Sequence, residues 1–240
     1  MAKGSIWRKY DLHFHTPSSF DYSNKGITNE KIIETLIENE IEVVAITDHH
    51  KLDVGRIKEL QKLAIDKLTI LPGIEFRSEL GGRESIHFIG IFSEKADLNN
   101  IWIKIQSGCE ITDSDIARQG GHEKVYCDFE DTCKLIHELG GIVSVHAGGK
   151  SNSIESIKNN HEFKQKLKKD LVETCIDIFE LGQEDDQEDY NTIVFPAIDN
   201  ILPMIICSDN HNINNYSLKQ NLWIKGIIIN IMIIRTNYHR

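Results

Sequence analysis

The sequence has little of what would mark a secreted, disulfide-bonded or membrane-bound protein. Its 240 residues include four prolines, and the five cysteines form no Cys-x-x-Cys pair. This spacing indicates neither a disulfide framework nor a thiolate zinc site. The first residues are charged before any apolar stretch of signal-peptide length begins. The longest apolar run, 227–234, is far shorter than the ~20 residues of a membrane span. We therefore expect a cytoplasmic protein with no membrane partner.

Positive charge is also scarce, since 27 Lys and Arg face 37 Asp and Glu, for a net charge of −10. This balance argues against a nucleic-acid binder that works mainly by charge attraction. The hydrophobic share of 40% and charged share of 27% are typical of a globular protein. A chain of this length needs neither a disulfide nor a metal merely to fold. Eleven histidines remain as the feature to explain.

Short apolar runs alternate with amphipathic stretches, which is typical of an α/β protein with a mostly parallel sheet. Seven runs predict strands, at residues 9–14, 43–47, 68–74, 86–92, 142–146, 176–181 and 204–208. Helices are predicted after Thr28 and at 54–63, 129–139, 154–171 and 190–198. Residues 93–127 have weak periodicity and predict an insertion or a long loop. We expect one barrel-like domain rather than two.

Six histidines and two acids lie in or directly after predicted strands. In a (β/α) barrel the carboxyl ends of all strands open on one face, so these side chains would converge there. Imidazole and carboxylate suit zinc, manganese or iron, and a carboxylate can bridge two cations. In the DLHFHTP motif, strand alternation points both histidines the same way. The converging residues are His13, His15, His49, Glu75, His87, His146, Asp209 and His211. They predict a polynuclear metal site.

The ordered motifs DLHFHT, ITDHH, PGIE, the lone His87, the strand-ending His146 and the closing SDNH resemble those of the PHP (polymerase and histidinol phosphatase) superfamily. The resemblance covers about residues 10 to 211. It implies a distorted, TIM-like (β/α)7 barrel with two or three divalent ions, manganese, zinc or iron, at the C-terminal ends of the strands. The first ion would be held by His13, His15, Glu75 and Asp209. Glu75 would bridge to a second ion on His87 and His146, and a third would take Asp21, His49 and His211.

Further roles follow from the resemblance and from the neighbouring residues. Glu75, Asp209 and His211 would be the catalytic set. Asp48 is expected to orient a neighbouring ligand, since a metal-bound histidine usually donates its other N–H to an acceptor. Glu180 would either support the ligands or act as a capping acid. His50 could be an extra ligand or a residue at the rim of the site.

The sequence allows two roles for several charged residues. The cations Arg77, Arg83 and Lys150 could bind substrate phosphate or be ordinary surface charges. The remaining histidines lie away from the strand ends and are expected on the surface. They are His122, His137, His161 and His239.

Divalent ions lower the pKa of bound water to about 7, which produces hydroxide at neutral pH. The expected reaction is hydrolysis of a phosphate ester, a phosphomonoester or a nucleic-acid phosphodiester, by a metal-bridging hydroxide. The substrate would be a phosphorylated small molecule or a nucleic acid. A metal-dependent amidohydrolase is one alternative. The other is a non-catalytic metal-binding module that regulates an ATPase partner.

The chain is most similar to PHP domains found at the N-terminus of AAA- or SMC-like ATPases. The opening GSIWRKYDLHFHTPSSF carries this likeness, so an ATPase domain or partner is expected. The chain itself contains no GxxxxGK[ST] loop. We expect residues 1–222 to form the phosphoesterase domain. Residues 223–240 read as an atypical tail, from truncation or a shifted reading frame.

Overall fold

The computed structural model describes residues 7–79, 85–157, 161–218 and 223–225. The chain divides into two compact units. Unit 1 comprises Met1–Glu75, Ile91–Lys104 and Cys207–Arg240, and unit 2 comprises Phe76–Gly90 and Ile105–Ile206. The predicted Arg83 and the last residues of the predicted tail, 226–240, lie outside the described part of the chain.

Unit 1 is built on four neighbouring strands in the order β8-β1-β2-β3. Strand β1 pairs in parallel with β2, and β2 pairs in parallel with β3. β8 is antiparallel to β1 and was not predicted. The strands are β1 Trp7–Phe14, β2 Val43–Ile46, β3 Thr69–Ser78, whose last residues belong to unit 2, and β8 Trp223–Lys225.

Two helices complete the first part of unit 1. Helix α1, Asn29–Glu38, begins where the Thr28 side chain accepts a hydrogen bond from the Lys31 N–H, as the sequence predicts. Helix α2, Val54–Leu63, is capped in the same way by Asp53. The apolar face of α1, with Ile32 and Leu36, is fully buried in the core.

Unit 2 contains the strands in the order β4-β5-β6-β7, with β5, β6 and β7 parallel. Helices lie between these strands along the chain. Aromatic side chains fill part of the core, since the ring of Phe88 lies 5.3 Å from that of Phe76 and 4.7 Å from that of Phe129. The elements of unit 2 are β4 Ile86–Ile91, whose last residue belongs to unit 1, α4 Asp113–Gln119, α5 Phe129–Glu138, β5 Ile142–Ala147, α6 His161–Thr174, β6 Ile178–Leu181, α7 Asp186–Asp189, α8 Phe195–Ile198 and β7 Met204–Ile205. Helix α3, Leu98–Gly108, begins in unit 1 and ends in unit 2.

The α/β class and all seven predicted strands are confirmed, although the last is only two residues long. The helix predicted at 129–139 is confirmed as α5, and Gly140 follows it with φ of 78°, the left-handed conformation that ends many helices. The helix predicted at 154–171 begins later, because 154–156 form a separate 3-10 turn. None of the described helices combines the length and the apolar character needed to cross a bilayer.

Of the two alternatives for 93–127, an insertion or a long loop, the long loop is wrong, since α3 and α4 lie within this segment. In α3, Ile101 and Ile105 are buried while Ile103 is 67% exposed, which is the spacing of an amphipathic helix. At the start of α4, the Thr112 side chain accepts from the Asp115 N–H, and the Asp115 carboxylate accepts from the Thr112 N–H. This capping box is a signal that the sequence contained.

We expect Thr112→Ala to lower the free energy of unfolding by about 1 kcal/mol, because it removes the side-chain cap of α4. The measurement is urea unfolding followed by circular dichroism. Thr112→Ser keeps the hydroxyl group and should retain most of the stability. Equal stability of Thr112→Ala and the wild type would contradict the assigned cap.

Candidate metal centre

The carboxyl ends of three parallel strands bring the first donors of unit 1 together. His13 and His15 lie at the end of β1, His49 follows β2, and Glu75 lies in β3. His49 and Glu75 are bridge partners across the neighbouring strand ends. These four residues are at most 4% exposed. The chain returns to this edge after β7, where the Asp209 N–H donates to the His13 carbonyl at 3.0 Å.

Two groups of donor atoms form at this edge, and each group lies within a span of 4.8 Å. In the first, Oε2 of Glu75 lies 3.0 Å from His13 Nε2 and 3.1 Å from His15 Nε2. Oδ1 of Asp209 lies 3.3 Å from the same nitrogen of His13. The first donor group is His13, His15, Glu75 and Asp209.

The second donor group is centred on the Asp21 carboxylate. Its Oδ2 lies 3.2 Å from His49 Nε2 and 3.1 Å from His211 Nε2. The rings of His15 and His211 stack with centroids 3.9 Å apart. His15 contributes a donor atom to both groups. The second donor group is His15, Asp21, His49 and His211. The structure thus places Asp21, from the loop after β1, beside the two histidines with which the sequence associated it.

The protonation states at this edge favour cation binding. Burial acts to raise the pKa of Glu75, but the charges of His49 and His13 outweigh it and hold that pKa well below its usual value. The pKa of Asp21 is also lowered, because the hydrogen bonds from His211 and His49 outweigh the raising effect of burial. Burial lowers the pKa of His49. Both carboxylates are therefore ionised at neutral pH, as carboxylate ligands of a metal must be.

The pKa of His15 is shifted in the opposite direction to that of His49. Burial lowers the pKa of His15, but hydrogen bonds to Asp209 and Glu75 raise it further, to about 9. Without a metal, a proton on His15 compensates the buried carboxylate of Glu75. A bound divalent cation can replace that proton, which is the chemistry expected of a ligand set built from imidazole and carboxylate.

The donors are held in place by two buried aspartates. Asp48 accepts hydrogen bonds from the N–H and the hydroxyl of Thr16, at 2.6 and 2.7 Å. It therefore joins the loop after β1 to the loop after β2 through Thr16, the residue beside His15. Asp11 accepts from the Ser208 N–H at 3.1 Å and from the Tyr216 hydroxyl at 2.9 Å.

Sequence reasoning missed Asp11, although a signal was available. Asp11 lies two residues before His13, which is the same spacing that separates His13 from His15 in this motif. Burial raises the pKa of Asp11 against the lowering effect of its hydrogen bonds from Ser208 and Tyr216. Asp11 holds the segment that carries Asp209, and it is a positioning residue.

Unit 2 has its own group of predicted site residues. The rings of His87 and His146 lie 5.4 Å apart. His146 Nδ1 contacts the Ser151 carbonyl at 3.0 Å, and its Nε2 lies 3.7 Å from Oε2 of Glu180. Lys150 Nζ lies 2.8 Å from Oε1 of Glu180, which is fully buried. Glu180 is therefore in contact with both His146 and Lys150 and is not a solvent-exposed capping acid.

Sequence comparison identifies the family to which these donor groups belong. The sequence model of the PHP domain family matches residues 11–182. The chain belongs to the PHP domain family. No curated protein matches the sequence significantly.

Solved structures share the fold of this PHP domain at low sequence identity. An amidohydrolase of Chromobacterium violaceum, solved with bound sulfate and no metal, is 16% identical with a TM-score of 0.60, over 88% of this chain and 90% of that one. A Bifidobacterium adolescentis protein assigned as a metal-dependent phosphoesterase is 15% identical with a TM-score of 0.59, over 90% and 92%. The lesion-specific endonuclease PfuEndoQ of Pyrococcus furiosus is 17% identical with a TM-score of 0.61, over 87% and 49%. The predicted distorted, TIM-like α/β fold is confirmed.

Other candidate residues of the PHP domain are placed as follows. Arg77 donates to the Glu123 carbonyl at 3.1 Å. His50 is completely buried and has φ of 50°, so it is not a residue of an exposed rim. His137 was expected on the surface, but it is only 14% exposed and lies 2.8 Å from Asp177 Oδ2. His122 is half-buried, and the side chains of His161 and His239 lie outside the described part of the chain.

Proposed function

We propose that this PHP domain is a metal-dependent hydrolase of phosphate esters. The main support for this proposal is the position of the Glu75 carboxylate. A single carboxylate oxygen of Glu75 lies 3.0, 3.1 and 3.4 Å from nitrogens of His13, His15 and His49. A buried carboxylate among three imidazoles is suited to sharing its charge between neighbouring cations.

The donor groups fit divalent ions of the kind expected. Both contain only imidazole nitrogens and carboxylate oxygens, which suit manganese, zinc or iron. The first donor group would hold one ion and the second donor group another. Bound divalent ions supply a water of lowered pKa and polarise a phosphoryl oxygen. We propose an additional ion on His87 and His146, whose rings lie 5.4 Å apart.

The protein's own side chains have distinct tasks in this proposal. Glu75 and Asp209 supply permanent negative charge to the first donor group. His211 is 29% exposed and is the most accessible histidine of the second donor group. Its Nδ1 contacts the Asp209 carbonyl at 3.1 Å, which fixes the ring and presents Nε2 to Asp21. His211 is thus placed where it can bind an ion or assist a leaving group.

The comparisons support the general class of this activity. Structures with this fold include a protein assigned as a metal-dependent phosphoesterase and an endonuclease, and both names imply phosphoester cleavage. The amidohydrolase among them keeps amide hydrolysis as a second candidate. A phosphorylated small molecule or a nucleic acid is the substrate we propose. An ATPase domain or partner is the proposed context, and a purely regulatory metal-binding role in it is the non-enzymatic alternative.

A metal analysis followed by a substrate screen tests these candidates. Purified protein is analysed for metals, loaded with manganese, and assayed on phosphomonoesters, phosphodiesters, single-stranded nucleic acids and N-acyl amides. We expect phosphoester cleavage by the loaded protein and none after chelation. Cleavage of amides alone would favour the amidohydrolase. Bound metal with no cleavage of any substrate would favour the regulatory module.

A further inference from the structure

We propose that residues 226–240 of this chain cover the groove between α1 and α2. The groove is lined by three aliphatic side chains, three glutamates and one lysine. Both helices and the strand that precedes residue 226 belong to unit 1. None of the residues that line the groove belongs to a donor group, so this inference does not depend on the proposed function.

The aliphatic part of the groove is open to solvent. Ile33 and Ile37 of α1 and Leu63 of α2 line a space of about 330 Å³ together with the charged residues. Ile37 is 38% exposed, and Ile65, in the turn after α2, is 68% exposed. Removing apolar surface of this kind from water is the main favourable contribution to association. The groove therefore favours an aliphatic occupant.

Negative charge follows the same groove. Glu30, Glu34 and Glu38 are spaced by four residues, so they form one row along α1, and all three line the groove. Glu34 pairs with Lys31 at 2.9 Å. Among the residues that the structure describes, neither Glu30 nor Glu38 takes part in an ion pair. Lys67 is the cation of the lining. The row of glutamates therefore favours an occupant with positive charge.

The sequence of residues 226–240 has both properties. It contains six isoleucines and one methionine, all within the apolar run 227–234, followed by Arg235 and Arg240. It has no acidic residue, although the whole chain has a net charge of −10. In the proposed arrangement the aliphatic run contacts the isoleucines of the groove, and the two arginines lie near the row of glutamates. Opposite charges of this kind also fix the register of an interface.

The segment begins at the edge of the sheet where α1 ends. β8 is antiparallel to β1, and its last residue, Lys225, pairs with Trp7, the first residue of β1. Two residues further along β1, the Lys9 ammonium donates at 2.8 Å to the carbonyl of Asn39, which directly follows α1. Residue 226 therefore follows at the edge where α1 and its groove end. The donor groups lie at the opposite, carboxyl end of β1.

The segment is long enough to cover the groove in any regular conformation. Its fifteen residues would span about 22 Å as a helix and about 50 Å as an extended strand. Helix α1, with 10 residues, is about 15 Å long. The attachment at the edge of the groove also gives this segment a high effective concentration there, which a separate molecule would lack.

Cross-linking in the full chain tests which molecule occupies the groove. All five native cysteines are buried, so a short bismaleimide should react with introduced, exposed thiols. One variant combines Glu34→Cys with Thr236→Cys, and its control combines Lys58→Cys with Thr236→Cys. Lys58 is exposed in the middle of α2 and does not line the groove. We expect the intramolecular cross-link to form about fivefold faster or more in the first variant than in the control.

The cross-linked product identifies the occupant. A faster intramolecular cross-link at Glu34→Cys supports the proposal. Equal rates in the two variants would overturn it, since a segment free in solution reaches both helices alike. Cross-links between two molecules would assign the groove to a second copy of the chain, and absence of any cross-link would leave the groove to a different protein. Either of these results would also overturn the proposal.

Trypsin cleavage after Arg235 measures the same contact without introduced thiols. Ile37→Asn should raise the cleavage rate about tenfold, because it removes an aliphatic side chain from the groove. Ile37 is partly exposed, so the fold should persist, which circular dichroism checks. Ile103→Asn is the control and should leave the rate unchanged, since Ile103 is 67% exposed on α3 and does not line the groove. Equal rates for the wild type and Ile37→Asn would contradict docking of the segment.

A double variant, Glu34→Gln with Glu38→Gln, tests the contribution of charge. It should raise the cleavage rate about threefold at low salt and less as the salt concentration rises, as expected for exposed ion pairs. Both side chains are exposed, so this variant also tests the proposal if Ile37→Asn does not fold. An unchanged rate at low salt would refute the contact between the arginines and the row of glutamates.

Discussion

His13→Ala is expected to lower kcat/KM for phosphoester hydrolysis by about a thousandfold or more, because it removes a metal ligand. His13 Nε2 lies 3.0 Å from Glu75 and 3.3 Å from Asp209, so it is central to the first donor group. Asp209→Ala should have a similar effect. Metal content, measured by elemental analysis, should fall in both variants, while circular dichroism should show a largely intact fold.

The control for this pair is His122→Ala, which alters a half-buried histidine outside both donor groups. It should keep its metal content and its activity. Full activity of a metal-depleted double variant of His13 and Asp209 would refute the assigned role of the first donor group.

Glu75→Gln is expected to destabilise the metal-free protein by about 3–5 kcal/mol at neutral pH, as for other buried ion pairs that lose one partner. Glu75 is 1% exposed, and its carboxylate compensates the proton on His15. The measurement is urea unfolding in the presence of a chelator. Glu79→Gln changes an exposed glutamate four residues later and should have little effect.

The effect of Glu75→Gln should depend on pH in a defined direction. The pKa of His15 is raised from 6.5 to about 9 in the folded protein. A raised pKa contributes stability that is fully present below pH 6.5 and is lost as the pH rises through about 9. The wild type and Glu75→Gln should therefore differ less above pH 9 than at pH 6. An unchanged difference would show that the pair does not depend on the His15 proton.

Local patterns were sufficient for much of the fold. The apolar runs predicted the strands β1 to β7, and Gly140 correctly marked the end of α5. The long loop considered for 93–127 was wrong, because the buried apolar positions of α3, such as Ile101 and Ile105, extend over a helix of only 11 residues. A weak pattern of this kind is decided by the core against which the helix packs.

The buried state of several polar residues could not be read from the sequence. The sequence left His50 as an extra ligand or a rim residue and placed His137 on the surface, yet His50 is fully buried and His137 lies against Asp177. Glu180 and Lys150 are ordinary charged residues by position, and the structure makes them a buried pair. Such pairs form between residues 30 apart in the chain, so no local spacing can reveal them.

The sequence by itself determined the types of donor and their positions at strand ends, because strand alternation and parallel pairing are local consequences of the residue pattern. It therefore predicted which residues could hold a metal. Tertiary structure decided the rest. Only packing places Asp21 between His49 and His211 and encloses Glu75 among three imidazoles. These contacts join distant loops, and burial, which sets their protonation, exists only in the folded chain.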